Sequence, residues 1–163
     1  DLSRGFPGLR IWLTLKYYGA ARYRAALAEK RELAVWTAEQ VALIPGVVMD
    51  AMPQLSLFAF HLESPALATL EAQNAATQAL MERVTRRGRV MLSGAQVGER
   101  YVGRVCVLGF RTRRAHMQAC VEDLAAEAGQ LLAALPDQAR RDFAAATLAQ
   151  LAEWDHILCA LPA

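Results

Sequence analysis

One arginine in this sequence stands where its charge has to be answered. Arg104 lies in the run Tyr101-Val102-Gly103-Arg104-Val105-Cys106-Val107-Leu108-Gly109. Strand alternation places it on a face with Val102, Cys106 and Leu108 and leaves Val105 and Val107 on the other. Both faces read as buried, the pattern of a central strand. A guanidinium left unpaired there would be strongly destabilising, and its planar fork suits a carboxylate bidentately. The partner is either an Asp or Glu of the same domain or a substrate carboxylate at the edge of the sheet. Residue types alone leave both open.

The other chemistry-bearing residues are scattered. Only Lys16 and Lys30 could supply an amine nucleophile or Schiff base, and both are expected on the solvated surface of N-terminal helices. Cys106, Cys120 and Cys159 are odd in number and widely spaced. That argues against a disulfide framework or a zinc site and for buried free thiols in a reducing compartment. His61, His116 and His156 show no metal-ligand spacing. Asn74 interrupts an apolar helical stripe and reads as an amide satisfied by nearby backbone. Ser93-Gly94 before a hairpin reads as a plain turn, although close approach by a ligand is the other use of such a glycine. Arg111, Arg113, Arg114 and His116 gather at a helix start, where exposed N–H groups plus arginines suit an anion, but a solvated basic face is the simpler reading. No phosphate-binding loop, nucleophile elbow, HExxH or paired CxxC is present.

The elements that must position these residues follow from periodicity and punctuation. Residues 9–18 read as a helix, interrupted at Gly19 and continued over 20–44, with Tyr23, Leu27, Leu33, Trp36, Val41 and Ile44 on one side. Pro45-Gly46 stops it. Residues 47–50 and 55–62 read as a hairpin around Met52-Pro53-Gln54. Ser64-Pro65 supplies an N-cap and an N1 proline. The helix it opens carries Leu67, Leu70, Asn74, Thr77, Met81 and Val84 and ends at Gly88. Residues 90–93 and 101–109 form a second hairpin around Gly98-Glu99-Arg100. Thr112 caps the next helix, whose stripe is Met117, Cys120, Val121, Leu124, Ala128, Leu131 and Leu135, and Pro136 breaks it. A last amphipathic helix begins at Asp137 with Phe143, Thr147, Leu151, Trp154 and Leu158. Hairpins separated by helices imply an α+β layer, an antiparallel sheet of about four strands with helices on one face.

The bulk numbers agree with one such unit. The chain has 163 residues, 55% hydrophobic and 21% charged, with a net charge of +2, so it can bury a core. No apolar run nears the ~18 residues that would span a bilayer, so no membrane is expected. The charge is too small and diffuse to predict nucleic-acid binding. The chain opens without Met or a signal-peptide pattern, and a domain from something longer is expected.

Several segments, in order, resemble the pyridoxal-phosphate-dependent group II amino-acid decarboxylases, the family of aromatic-L-amino-acid, tyrosine, histidine and glutamate decarboxylases. Ser3-Arg4-Gly5-Phe6-Pro7-Gly8-Leu9-Arg10-Ile11-Trp12 with Tyr18-Gly19 resembles their SRRF-x-ALKLW…YG segment. Leu55-Ser56-Leu57-Phe58-Ala59-Phe60 resembles a strand of their small domain. Asn74 followed by Leu80-Met81-Glu82-Arg83-Val84 and Gly88-Arg89-Val90 resembles N…LMERVN-x-xGRV. Tyr101-Val102-Gly103-Arg104-Val105-Cys106 with Phe110-Arg111-Thr112 resembles (F/Y)-V-L-R-x-C…(N/F)-x-R-T. Gly5, Arg10 and Gly103 depart from the usual Arg, Lys and Leu. The match runs collinearly from about residue 2 to residue 135.

The resemblance implies the small C-terminal domain of a fold-type I pyridoxal-phosphate enzyme. Residues 1–44 would be a helical connector from a large domain and 45–135 the α+β small domain; residues 136–163 have no counterpart in the resemblance and read as a C-terminal helical extension that packs or stabilises a dimer. The whole enzyme would be a cytoplasmic homodimer that converts an L-amino acid to its amine and CO2, with the cofactor as electron sink. The Schiff-base lysine and most cofactor contacts would lie in the large domain, so this chain alone is expected to be inactive. In glutamate-type members the strand arginine matched by Arg104 engages a substrate carboxylate, which moves the reading of Arg104 toward ligand. The alternatives are a stand-alone α+β module that binds a small carboxylate, and a non-catalytic homologue.

Overall fold

The computed structural model describes residues 5–135. The matched Ser3-Arg4 and the helix expected after Asp137, with His156 and Cys159, lie outside the described residues. Eight elements follow in order: α1 (Pro7–Tyr18), α2 (Ala20–Ala42), β1 (Val47–Ala51), β2 (Leu57–Leu62), α3 (Leu70–Arg86), β3 (Ser93–Val97), β4 (Arg100–Cys106) and α4 (Arg114–Ala133). The strands form one antiparallel sheet in the order β1-β2-β4-β3. Helices α2 and α3 lie against it, and α4 packs on both of them.

Gly19 separates α1 from α2 as expected, at a φ of +80° that favours glycine over any residue with a Cβ. The expected stripe holds at Val41, and at Ile44 just past the helix, which are buried in the core, but not before them. Tyr23 and Leu27 are exposed and Leu33 and Trp36 only partly buried, whereas Lys30, Ala34, Thr37, Ala38 and Val41 face inward. Burial begins only at Lys30, where the helix reaches the layer. The small Ala34 and Ala38 line the seam, since helix spacing is set by side-chain size at the contact, and the larger residues flank it.

Two helix starts and one strand differ from expectation. Ser64-Pro65 closes a turn, with the Leu67 N–H bonded to the Ser64 carbonyl at 2.8 Å, and does not open α3. Thr69 caps α3 instead, its Oγ1 accepting from the Ala72 N–H at 3.2 Å. Arg113, not Thr112, is the N-cap of α4, and its own N–H donates to His116 Nδ1 at 3.0 Å. The Thr112 carbonyl is already taken by Lys30 Nζ at 2.7 Å. β3 runs over 93–97 and not 90–93, because the two-residue turn Gly98-Glu99 pairs Val97 with Arg100 and Ser93 with Arg104. Gly98 has positive φ and Glu99 does not, which is what a type II′ hairpin turn requires. Val90 and Leu92 pack against the core from outside the sheet.

β4 is a central strand, but among the described residues helices pack on only one of its faces. Gly103, Val105 and Val107 are buried against Phe58, Phe60, Leu80, Met81 and Val84. On the other face Leu57, Cys106, Ser93, Val97 and Val48 are exposed, and of the paired residues there only Val102 and His61 are buried. The expectation that both faces of this strand are buried is corrected. Apolar residues on two faces mark a central strand without saying what covers each face.

Gly103 has a steric reason. A Cβ there would sit 2.7 Å from Met81 Sδ and 2.9 Å from Phe60 Cζ, and both side chains are buried. Gly103→Ala is expected to destabilise the fold by about 1–3 kcal/mol, the range for overpacking. In urea unfolding the cost of Gly103→Ala should be smaller in a Met81→Ala background than in the unaltered chain, as a double-mutant cycle measures. Equal stability of Gly103→Ala and the unaltered chain would refute the packing argument.

Candidate functional site

Arg104 emerges on the uncovered sheet face, half-buried. Its register neighbours are Ala59 on β2 and Ser93 on β3, and Ala51 pairs with Ala59 beyond. The guanidinium therefore rises from a row whose other side chains are no larger than serine. Its one recorded partner among the described residues is Ser93 Oγ, which accepts from Nη2 at 3.3 Å. Nε is shielded from solvent and has no hydrogen-bond partner. No Asp or Glu among the described residues pairs with Arg104. The carboxylates on its own face are otherwise engaged: Asp50 Oδ2 lies 2.9 Å from His61 Nδ1, and Glu63 Oε2 lies 3.4 Å from His61 Nε2. Of the two partners open in the sequence, an internal acid is absent from the described residues.

The remaining candidates do not join this face. Lys30 is buried, contrary to expectation, with its Nζ on the Thr112 carbonyl and 3.2 Å from Glu29 Oε1. It ties α2 to the start of α4, the interaction that offsets the desolvation of its ammonium. Lys16 stands over the Trp12 ring on α1, 5.8 Å from the ring centroid. Neither lysine is placed to hold an aldehyde cofactor, so the described residues do not fit a pyridoxal-phosphate site of their own. Cys120 is buried as expected, and burial, helped by Asp123, pushes its thiol up to about 12. Such a thiol is a poor nucleophile. Cys106 is exposed instead of buried, a consequence of the open face. No group of three or more His, Cys, Asp or Glu side chains could hold a metal among the described residues.

The arginines at the α4 start are occupied. Arg113 Nη1 donates to the Phe110 carbonyl at 2.6 Å, and Arg114 stacks 3.5 Å over the Trp36 ring. Asn74 does what its place on the stripe suggested. Its Nδ2 donates to the Glu99 carbonyl and its Oδ1 accepts from the Tyr101 N–H, both at 2.8 Å, which clasps the β3–β4 hairpin that carries Arg104. Gly94 is a strand residue, not a turn. Tyr101 folds over it so closely that a Cβ would overlap the phenol. A groove of about 480 Å³ between α3 and β3, lined by Met81, Glu82, Thr85, Arg86, Leu92, Gly94 and Tyr101, does not include Arg104.

A second constellation was not anticipated. Asp123 on α4 is fully buried and accepts from Arg89 Nη2 at 2.6 Å, from Arg89 Nε at 3.0 Å and from Arg87 Nη1 at 3.0 Å. Glu127 accepts from Arg87 Nε at 2.6 Å. The hydrogen bonds from Arg89 and then Arg87 hold the Asp123 carboxyl below its usual range, and both guanidiniums are raised. The available signal is two acids four residues apart beside the apolar stripe of α4, matched by Arg83 and Arg87 at the same spacing in the last turn and C-cap of α3.

No family model matches the chain. Among curated proteins it is 31% identical over 121 residues to an aromatic-L-amino-acid decarboxylase of Bacillus atrophaeus, covering 72% of this chain and 24% of that protein. It is 30% identical over 109 residues to a 4-hydroxyphenylacetaldehyde synthase of Rhodiola rosea, covering 67% and 22%. The crystal structure of the Rhodiola rosea synthase superposes with a TM-score of 0.69 at 27% identity, over 80% of this chain and 28% of that one. An Oryza sativa TDC with PLP and tryptamine superposes with a TM-score of 0.71 at 23% identity, over the same 80% and 28%, a likeness of fold. The chain thus spans about a quarter of the length of the proteins it matches.

Proposed function

We propose, from the premise that the chain's sequence and structural neighbours are group II pyridoxal-phosphate-dependent aromatic amino-acid decarboxylases, that it is the C-terminal small domain of such an enzyme and that Arg104 receives the substrate carboxylate. The whole polypeptide would release CO2 from an L-amino acid. The observation that carries the reading is Arg104 itself, a half-buried guanidinium on an uncovered sheet face with no acidic partner among the described residues. A preorganised fork of this kind fixes both the position and the orientation of a carboxylate.

Two surfaces support a larger assembly around it. One is the open face of the sheet. The other is α1, which buries none of its residues and exposes Ile11, Trp12, Leu13, Tyr17 and Tyr18. An apolar helix bare on all sides is expected to be covered in the functional protein. In this reading residues 1–44 connect to a large domain, 45–135 form the small domain that closes the cleft, and 136–163 extend it. The cofactor is held outside this segment, consistent with the placement of Lys16 and Lys30. The enzyme is a cytoplasmic homodimer, and the isolated segment is inactive.

The test is CO2 release by the full natural polypeptide, supplied with pyridoxal phosphate, from L-tryptophan, L-tyrosine, L-phenylalanine, L-glutamate and L-aspartate in turn. Turnover of at least one is expected. Binding of these carboxylates without CO2 release would instead favour a carboxylate-binding module.

A further inference from the structure

We propose that Ser93 is a positioning residue for Arg104, holding the guanidinium in the plane that meets the substrate carboxylate; this rests on the reading of Arg104 as that carboxylate's ligand. Ser93 and Arg104 are register partners on neighbouring antiparallel strands, so their side chains leave the same face side by side. In the row Ala51, Ala59, Arg104, Ser93, Ser93 is the only neighbour with a polar side chain. Ala59 gives the long arginine side chain no hydrogen bond on the opposite flank, so the orientation of the guanidinium falls to one contact, Nη2 to Ser93 Oγ at 3.3 Å.

The shielded donor gives that contact a direction. Nε is closed to solvent, so a carboxylate arriving from the open face meets the outer edge of the guanidinium, Nη1 and Nη2. Bound end-on across these two it takes the bidentate geometry that arginine favours. One of its oxygens then stands beside Ser93 Oγ. The hydroxyl, which already accepts from Nη2, has its own proton free to donate to that oxygen. Serine can therefore both orient the arginine and add a third hydrogen bond to the same carboxylate. Alanine can do neither, and threonine keeps the hydroxyl. Ser93 is exposed and on an edge strand, so the fold does not depend on its side chain.

The experiment compares Ser93→Ala, Ser93→Thr and Arg104→Lys in the full polypeptide, reading KM, kcat and Tm with whichever L-amino acid of the panel is turned over best. Ser93→Ala is expected to raise KM roughly five- to tenfold with kcat within about twofold, the scale of one ordinary net hydrogen bond. Its Tm should be unchanged, and Ser93→Thr should restore most of the KM. An impaired Arg104→Lys with an unaltered Ser93→Ala overturns the role of Ser93 and leaves the arginine clamp standing. An unaltered Arg104→Lys overturns the clamp and the inference built on it. A fall in Tm matching the loss in Ser93→Ala, or a Ser93→Thr as poor as alanine, also overturns the positioning role.

Discussion

Replacing Arg104 with alanine in the full polypeptide is expected to reduce kcat/KM for the proposed amino-acid decarboxylation by roughly 100- to 1,000-fold, the scale of removing one partner from a desolvated charge pair worth about 3–4 kcal/mol. The expectation follows from what Arg104 does not do in the fold. It makes no ion pair among the described residues, and its one hydrogen bond is to a serine. Loss of the side chain should therefore cost little stability, and unfolding transitions of the variant and the natural protein should nearly coincide. Arg104→Lys retains the charge but loses the planar fork, so it should fall between the two. A variant with activity within twofold of the natural enzyme would dismiss the carboxylate reading. A variant that fails to fold would return Arg104 to a purely structural role.

The largest effect on stability is expected at the opposite end of the molecule. Asp123 has no solvent exposure and accepts from three N–H groups of Arg87 and Arg89, the Arg89 Nε being shared between its two oxygens. Through them α4 is tied to the end of α3 and to the residues leading into β3. Asp123→Ala removes the common acceptor and opens space beside Cys120 and Leu124. A loss of about 3 kcal/mol is expected, the scale of charge-assisted bonds plus a small cavity. The two arginines are partly exposed and regain water once released, which keeps the cost below that of a fully enclosed pair.

The acid limb of stability gives an independent check with a definite sign. The Asp123 carboxyl is held below its usual range when folded, so its contribution is fully present above the unfolded carboxylate value near ~3.9. It is lost as pH falls from there through the lower folded value. Between pH 7 and 5 this contribution should stay flat, and below about pH 4 the natural chain should lose stability more steeply than Asp123→Asn. Parallel acid limbs in urea unfolding would show that the carboxylate is not what the arginines hold.

Particular residues mark how far the sequence could be read. Gly19 between two helices, Gly88 after α3 and Gly98 in the second hairpin each act as the punctuation they resemble, because positive φ is a local requirement that glycine meets alone. Asn74 read as an amide satisfied by backbone, and it is. The decarboxylase resemblance agrees with the relatives found in sequence and structure. Lys30 was misread because an ammonium four residues from Ala34 looks like surface until the Thr112 carbonyl, 82 residues away in the chain, is brought to it. The start of α3 was misplaced because Ser-Pro and Thr-Leu both satisfy local capping rules, and the choice depends on the turn that Ser64 closes with Leu67.

Local rules therefore determined the kinds of element, their order and the α+β class, since turn dihedrals, caps and periodicities are set within a few residues. Which face of β4 is covered, and so whether Arg104 is enclosed or offered outward, was decided only by the packing of α2 and α3 on one side of the sheet. The Asp123 cluster likewise exists only because α3 and α4 run side by side. A charge cannot be read as paired or unpaired until the groups within a few ångströms of it are known, and those groups come from distant parts of the chain.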